Sequence, residues 1–413
     1  MKKLIKKVFR KCGFKIMRYE PDPRGECVSL KPENRPRGSV LLALWIKPFL
    51  LKDGEPIPNS HAHYWRSLQI AKTFLDLGYS VDVIDYLNGE FIPEKNYAFF
   101  VSFRTHFERI ARLLNEDCIK IAHLDTAHWL FNNSAAFRRG LALQQRRGVS
   151  LRGLRIVETN MAIECADYAT LSGNQFTVDT YRYSQKPLFR VPYPSCAVYP
   201  WPEGKNFDSC RNNFLWFGSS GFVHKGLDLV LDVFANAPGY HLYVCGPIQD
   251  EKDFEEAYYK ELYQTPNIHT LGWLDTGGPE FAEVARKCVG VVYFSCAEGG
   301  GGSAITCMHA GLIPIVSYES SVDVEDFGIV VKDSSPEEIR DSIQMISGLS
   351  AEKLQTMSRK AWEFVRANHT RERSAEEFRK VIEQITEYHC RSGKNKTAAN
   401  REKHQLEQTS SLS

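Results

Sequence analysis

Two glycine-containing loops are the parts of this sequence whose residue types and spacing could do chemistry. In YFSCAEGGGGSAITCMHAGLIPIVS (residues 293–317), a strand-like apolar run ends near Ser295, and Glu298, four glycines and a helix-like pattern follow. Glycines let backbone N–H groups approach an anion closely, and a helix N-terminus adds partial positive charge. A glycine run is also common in flexible turns, but its place between a strand and a helix favours anion binding. The segment predicts a diphosphate site at Gly299, Gly300, Gly301, Gly302 and Ser303, with Glu298 beside it to accept hydrogen bonds from sugar hydroxyls.

The second loop lies in WFGSSGFVHKGLDLVLDVF (residues 216–234), again between a strand-like and a helix-like run. Lys225 begins the helix and could reach a β-phosphate as a point charge. The alternative is a solvent-facing lysine in a first helical turn. Because both loops follow strands, and open α/β sheets bind ligands at the carboxyl ends of strands, we expect the two loops to form one phosphate pocket. The second loop contributes Gly218, Ser219, Ser220, Gly221, His224 and Lys225.

Two series of alternating strand and helix patterns must position these loops. The first runs over residues 38–190 and begins with the strand VLLALWI at 40–46; the second covers 206–388 and ends in helices. Residues 187–205 contain five prolines, which excludes continuous helix or a central strand there. We therefore predict an α/β fold of two Rossmann-like domains facing across a cleft, joined by a linker at 191–205.

The two ends of the chain differ from this pattern. Residues 1–37 form a basic extension, in which eight Lys and Arg precede the first acidic residue, Glu20, and apolar residues share one side of a helix over 1–18. That pattern suits a helix lying on an anionic membrane surface, and it equally suits a solvated basic arm. Residues 389–413 are polar, and we expect them to be disordered.

Composition narrows the function classes. The formal charge is only +2, which argues against nucleic acid as a partner. The eleven cysteines form no C-x-x-C pair and no zinc-type spacing with histidine, so we read them as reduced core thiols of a cytoplasmic protein. No signal peptide or membrane-spanning run is evident. We expect no metal and no cofactor, because a lysine and a helix N-terminus supply the positive field.

The order and spacing of four motifs resemble the retaining glycosyltransferases of family four (glycosyl transferases group 1), which adopt the GT-B arrangement of two Rossmann-like domains. The matching segments are FGSSGFVHKGLDLVL, YHLYVCGP, IHTLGWLD and FSCAEGGGGSAITCMHAGLIPIVS. The first corresponds to that family's G-R-x4-K-G phosphate loop and the last to its E-x7-E segment. The resemblance implies donor binding by the C-terminal domain and acceptor binding by the N-terminal one.

The resemblance also implies individual roles and exposes departures. Glu298 matches the first glutamate of E-x7-E, whereas Thr306 stands where the second would contact the nucleotide ribose. Ser219 or Ser220 replaces the loop arginine, with one extra residue before Lys225. In the N-terminal half, KIAHLDTAHWLFNN predicts a histidine beside the donor sugar, with His128 favoured as catalytic and His123 second. A helix cap or a satisfied core residue is the alternative for either histidine.

Taken together, these residues predict transfer of a hexosyl group from a nucleoside diphosphate sugar to a hydroxyl acceptor. The basic N-terminus suggests a glycan or lipid-linked glycan of the bacterial cell surface as acceptor, and a cytoplasmic protein that can lie on the inner face of the membrane. One alternative is a GT-B pseudoenzyme that binds a nucleotide, a glycan or a partner protein without transfer. Another is a GT-B epimerase or hydrolase.

Overall fold

Two mostly parallel β-sheets, each covered by helices, make up the computed structural model, which describes residues 22–52, 54–58 and 61–389. Their central strands are runs of apolar residues buried on both faces, as parallel sheets between helices require. The predicted basic helix at 1–18 lies outside the described residues, as does the predicted tail 389–413 except for residue 389. The two-domain α/β fold predicted from the sequence is confirmed.

The first sheet has seven strands in the order β1-β3-β2-β4-β5-β6-β7. All neighbours are parallel except β1, which pairs antiparallel with β3 at the edge. The strands are β1 Cys27–Leu30, β2 Ser39–Leu44, β3 Ser80–Asp85, β4 Phe99–Ser102, β5 Ile119–Leu124, β6 Tyr168–Leu171 and β7 Leu188–Arg190. The sequence analysis assigned β1 to the N-terminal extension, because a four-residue edge strand with only half-buried side chains carries little hydrophobic signal.

The second sheet has six parallel strands in the order β10-β9-β8-β11-β12-β13. They are β8 Asn213–Phe217, β9 His241–Cys245, β10 Ile268–Gly272, β11 Gly290–Tyr293, β12 Ile313–Ser317 and β13 Ile329–Val331. Between the sheets, residues 191–206 form neither helix nor strand, in agreement with the proline content. The domain boundaries drawn from the sequence stay a prediction.

Helices fill the connections between strands. In the first half they are α1 Ala62–Asp76, α2 Phe107–Leu113, α3 Trp129–Arg147, α4 Ala162–Cys165 and α5 Gln175–Tyr181. In the second half they are α6 Phe207–Cys210, α7 Leu227–Ala235, α8 Lys252–Ala257, α9 Tyr259–Gln264, α10 Pro279–Lys287, α11 Gly302–His309, α12 Pro336–Ser347, α13 Ala351–Asn368 and α14, residues 371–389. Local residues account for several helix termini. Helix α3 stops at Gly148, which has φ +70°, and Ser335 and Ser350 cap the N-termini of α12 and α13.

The last two helices belong to different halves of the molecule. Helix α13 packs on the second sheet, whereas α14 buries one apolar stripe in the core of the first. That stripe consists of Phe378, Val381, Ile382 and Ile385. The sequence-based division had assigned 206–388 to the C-terminal domain, so this packing differs from it. The spacing of the stripe predicts an amphipathic helix but carries no information about which sheet it covers.

Candidate functional site

The loops after β8 and β11 meet at the carboxyl edge of the second sheet. These strands are neighbours, but the chain leaves β8 toward β9 on one side and leaves β11 toward β12 on the other. Such a reversal of strand order opens a crevice between the two loops, which is where open α/β sheets bind ligands. The two sequence-predicted loops are therefore brought together.

Lys225 is held under the first loop. Its side chain is only 5% exposed, and its Nζ donates to the Ser220 carbonyl at 3.1 Å. Gly218 leaves room for it, since a Cβ at that position would lie 2.8 Å from the Trp216 indole and 3.2 Å from Lys225 Cδ. Burial and the nearby charge of Arg155 lower the pKa of Lys225 to about 8. The ammonium is therefore mostly charged at neutral pH and is buried at the base of the crevice.

Glu298 faces Lys225 from the second loop. Its Oε1 lies 3.7 Å from Lys225 Nζ and accepts hydrogen bonds from the Tyr293 hydroxyl at 2.8 Å and the Ser295 hydroxyl at 3.1 Å. Burial acts to raise the pKa of Glu298, but Lys225 and Arg155 outweigh it and lower the pKa to about 2. The carboxylate is thus ionised and fixed in position.

The first half of the glycine run packs against the other domain. A methyl group on Gly299 would overlap the backbone of Asp125 at its carbonyl oxygen, and one on Gly300 would lie 3.1 Å from Ser172 Cβ. Both contacts come from loops at the carboxyl ends of first-sheet strands. Gly299 and Gly300 are buried, so they bring the two domains close together instead of lining an open cradle.

The second half of the run opens the cleft-facing helix. Gly301, with φ +52°, is the N-cap of α11 and supplies no side-chain capping bond. Gly302 and Ser303 form the first turn and are half-buried, and a methyl group on Gly302 would overlap the Tyr193 ring. The N-terminal N–H groups of α11 therefore lack a side-chain cap, which is the arrangement that favours an anionic ligand.

A cavity of 420 Å³ lies beside these groups in the cleft, and Lys225 and Glu298 are not among the residues that line it. Its lining combines parts of the two predicted loops with residues of the loop after β10, of the interdomain segment and of the first domain. The lining residues are Pro58, His61, Tyr193, Cys196, Phe217, Ser219, Trp273, Asp275, Thr276, Gly302, Ser303 and Thr306. Its size and its mixture of aromatic and polar groups suit a ligand of nucleotide size.

Thr306 and Ser219 line the cavity at two of the positions where the sequence departs from the resembled motifs. The Thr306 hydroxyl donates to the Gly302 carbonyl at 2.8 Å, so it offers a ligand only its lone pairs. Ser219 and Ser220 are exposed at the tip of the first loop. Apart from Lys225, neither loop contains a Lys or Arg residue.

The next amides of the first loop are already occupied. The Gly221 N–H donates to the Glu251 carboxylate, and the Phe222 N–H reaches the same group at 3.5 Å. Glu251 stands at the start of α8, in a segment that the sequence analysis did not consider. The Gly221 amide is therefore not free to hold a phosphate, in contrast to the prediction for this glycine.

Arg155 is the charged residue of the site that the sequence analysis missed. It follows α3 in the first domain, and its Nη1 lies 3.2 Å from Glu298 Oε1 in the second. One signal was available: the sequence between Asp125 and Glu158 contains six arginines and no acidic residue. In the structure, Arg146 and Arg147 of this stretch pair with carboxylates of the second domain.

His61, not His128, is the histidine that lines the cavity. It caps α1, accepting from the His63 amide at 3.3 Å, and its ring stacks on Trp45 with centroids 5.4 Å apart. Burial and the charge of Arg66 lower the pKa of His61 to about 4, so its ring is neutral at physiological pH.

His128 and His123 have both ring nitrogens engaged by protein groups. His128 caps α3 by accepting from the Leu130 amide at 3.3 Å, and its Nε2 lies 2.9 Å from the Tyr183 hydroxyl. His123 is fully buried between Arg66 and Thr170. This geometry corresponds to the alternatives that the sequence left open, a helix cap and a core residue, and it leaves the catalytic role of His128 a prediction.

Within the part of the chain that the structure describes, no group of three or more His, Cys, Asp or Glu side chains has the geometry to hold a metal ion. Over the same residues, no helix has the length and apolar character needed to cross a bilayer.

Comparison of the folded chain with solved structures finds similar proteins. No protein-family model and no curated protein sequence matches the chain. Among solved structures, sucrose-phosphate synthase from Thermosynechococcus elongatus is 15% identical, with a TM-score of 0.61 over 86% of this chain and 100% of that one. HepE of Anabaena, solved with UDP and glucose, is 10% identical, with a TM-score of 0.53 over 85% and 100%.

A third structure, WaaG, described as a glycosyltransferase of lipopolysaccharide biosynthesis, is 12% identical, with a TM-score of 0.51 over 83% of this chain and 99% of that one. The chain spans about half, 54%, of the longer S. aureus TarM, at a TM-score of 0.49. The likenesses to sucrose-phosphate synthase, HepE and WaaG confirm the predicted GT-B fold.

Proposed function

We propose that this protein is a glycosyltransferase that moves a hexosyl group from a nucleoside diphosphate sugar to a hydroxyl acceptor. In this reaction the bond between the anomeric carbon and the β-phosphate oxygen breaks, and the acceptor oxygen bonds to the same carbon. The nucleoside diphosphate leaves and takes up the acceptor proton. By its resemblance to family four, the transfer retains the anomeric configuration.

The observation that carries this proposal is the charge arrangement around the cavity. The buried Lys225 ammonium and the ionised Glu298 come from the two loops of a GT-B fold and lie 3.7 Å apart, and the uncapped N-terminus of α11 and Ser219 line the adjoining cavity. The ammonium and the helix N-terminus suit the charge that develops on a departing diphosphate. Glu298 can accept hydrogen bonds from sugar hydroxyls, so it would orient the transferred ring.

The other donor contacts follow from the lining of the same cavity. Ser219, Gly302 and Ser303 would contact the phosphates, and Thr306 the ribose. Gly299 and Gly300 would act indirectly, because they allow the close approach of the two domains. Gly301 would act by letting the chain turn into α11 against Ser320 and Val322 of its own domain. We assign His128 a structural role as the cap of α3 and propose His61 as the histidine nearest the donor.

We propose a glycan or lipid-linked glycan of the bacterial cell surface as acceptor. Support comes from the basic N-terminal segment and from the description of WaaG, whose fold this chain shares. A cytoplasmic enzyme resting on the inner face of the membrane would have access to such acceptors. No metal, cofactor or nucleic acid is part of the proposal.

A ligand-stabilisation experiment tests the donor half of the proposal. Purified protein is heated with UDP, GDP, ADP and their common sugar conjugates, since a ligand that binds the folded state raises Tm. We expect one base to raise Tm and Lys225→Ala to abolish the shift. No shift with any nucleotide would contradict the proposal.

Turnover separates the enzyme from its alternatives. The bound donor is incubated with a panel of glycan and lipid-linked acceptors, and the products are analysed. We expect consumption of donor only with an acceptor. Binding without consumption over the whole panel would indicate a pseudoenzyme, and donor breakdown or isomerisation without acceptor would indicate a hydrolase or epimerase.

A further inference from the structure

The diphosphate side of the cavity has one cation fewer than the resembled motif. Ser219 and Ser220 occupy the two positions that could hold the loop arginine, which leaves Lys225 as the positive side chain of the second domain next to Glu298. In the described part of the chain, the other cation in an ion pair with Glu298 is Arg155, which belongs to the first domain.

Arg155 lies against the phosphate loop, the segment in which the resembled motif carries its arginine. A Cβ on Gly221, in the middle of the phosphate loop, would lie 3.0 Å from Arg155 Cδ. The guanidinium continues past that glycine to Glu298 Oε1, at 3.2 Å. Gly221 has φ +88°, so this position favours glycine by backbone conformation as well as by contact with the arginine stem.

The backbone that carries Arg155 is anchored to the first domain. The Asn132 side-chain amide donates to the Arg155 carbonyl at 3.1 Å. The Asn133 side chain donates to the Val157 carbonyl and accepts from the Val157 N–H, each at 2.8 Å. Both asparagines lie on α3. The Arg155 backbone is therefore tied to the N-terminal part of α3 in the first domain, although the preceding Leu151 and Arg152 contact the second domain, to which the phosphate loop belongs.

We propose that Arg155 supplies, from the opposite domain, the second cation of the diphosphate site, so that the site is complete only when the two domains are closed. This inference rests on the proposed function. A guanidinium has five N–H donors, and in the described part of the structure the side chain makes one hydrogen bond, to Glu298. The remaining donors are free for the planar, bidentate contacts that arginine makes with phosphate.

Ion pairs hold the C-terminal end of α3 against the second domain. Arg146 pairs with the buried Asp228 at 2.7 Å, and Arg147 pairs with Glu261 at 2.9 Å. These contacts fix the end of the helix from which the Arg155 segment departs. In this proposal, an opening of the two domains would have to break these ion pairs before Arg155 could leave the phosphate loop, so donor affinity is coupled to closure.

Calorimetric titration of the full chain with UDP, GDP and ADP tests the inference. For the nucleotide that binds, we expect Arg155→Ala to weaken the affinity about tenfold to a hundredfold, the range for a charge-assisted hydrogen bond. Arg152→Ala is the matched control, because it removes the same charge from an exposed position of the same segment, and it should change the affinity less than about twofold. Equal affinity of Arg155→Ala and the wild type would overturn the inference.

A double-mutant cycle distinguishes direct contact from an effect through Glu298. If Arg155 binds the diphosphate, Arg155→Ala weakens binding by a similar factor in the wild type and in Glu298→Gln. If Arg155 only positions Glu298, Arg155→Ala has no effect in the Glu298→Gln background, and the inference is wrong. If the alanine variant does not fold, Arg155→Lys replaces it, because lysine keeps the charge but cannot make the bidentate contact. We expect Arg155→Lys to bind the nucleotide more weakly than the wild type and more tightly than Arg155→Ala.

The outcomes also separate this inference from the function on which it rests. A wild-type protein that binds none of the three nucleotides contradicts both. A wild-type protein that binds one of them, with unchanged affinity in Arg155→Ala, contradicts the inference alone and leaves Lys225 as the diphosphate cation.

Discussion

The two faces of the cleft are built in different ways. The C-terminal face takes most of its groups from two contiguous segments, residues 217–225 and 298–306, each of which leads from the carboxyl end of a strand into a helix. Its other lining residues come from the loop after β10. The N-terminal face takes His61, Asp125 and Arg155 from three separate connections. A contiguous segment can be recognised from its own residues, whereas a face assembled from distant segments becomes visible only in the folded chain.

The largest expected effect lies on the C-terminal face. Lys225→Ala removes a buried ammonium from beside the proposed diphosphate, and we expect nucleotide affinity to fall about tenfold to a hundredfold. Lys287→Ala, at an exposed position of the same domain, is the control and should leave affinity unchanged. Isothermal titration measures both. An unaltered affinity in Lys225→Ala would mean that this face does not bind the phosphates.

The next effect concerns the contact between the faces. Gly299→Ala forces a methyl group against the Asp125 backbone, so the closed arrangement must open or strain, at a cost of about 1–3 kcal/mol. We expect a lower free energy of unfolding, a larger radius of gyration and weaker nucleotide binding. Gly239→Ala is the control, because a Cβ at Gly239 meets no atom within 4 Å. Denaturant titration measures the free energy of unfolding, and small-angle scattering measures the radius of gyration. If both values for Gly299→Ala equal those of the Gly239→Ala control, the proposed packing role of Gly299 is wrong.

The pH dependence of binding sharpens the assignment of Lys225. Its pKa of about 8 means that the charge is present below pH 8 and is lost as the pH rises through that value, while Glu298, with a pKa of about 2, stays ionised throughout. Nucleotide affinity should therefore fall by up to about tenfold per pH unit above pH 8. The same titration on Lys225→Ala should be flat, and a slope that persists there would assign the dependence to another group.

The smallest expected effect tests the N-terminal histidine favoured by the sequence. Because His128 caps α3, His128→Ala should lower the free energy of unfolding by about 0.5–2 kcal/mol. We expect the turnover number to stay within about threefold of the wild type, which is well below the loss for a group engaged in proton transfer. Activity and unfolding assays on one preparation measure both quantities. A hundredfold loss of turnover in a stable variant would restore the catalytic assignment.

What the sequence could predict follows the same division. The strands at 213–217 and 290–293 and the loops after them could be predicted, because a local pattern determines each one, whereas the roles of Lys225 and Glu298 in donor binding stay a prediction. The edge strand β1, the packing of α14 and the position of Arg155 could not be, since each depends on contacts between distant segments. His128 shows the limit within one segment: its place at a strand end was evident, but the direction of its ring depends on Tyr183.

The packing of α14 on the first sheet has a consequence for the order in which the protein folds. The apolar stripe that α14 inserts into the first core comes from the last described part of the chain. During synthesis, the N-terminal half emerges from the ribosome with that face of its core uncovered, and it stays so until the whole C-terminal half has been made. Domains that fold during synthesis usually do so one after the other. Here the first domain to be synthesised is the last to be completed, which exposes it to chaperones for the longest time.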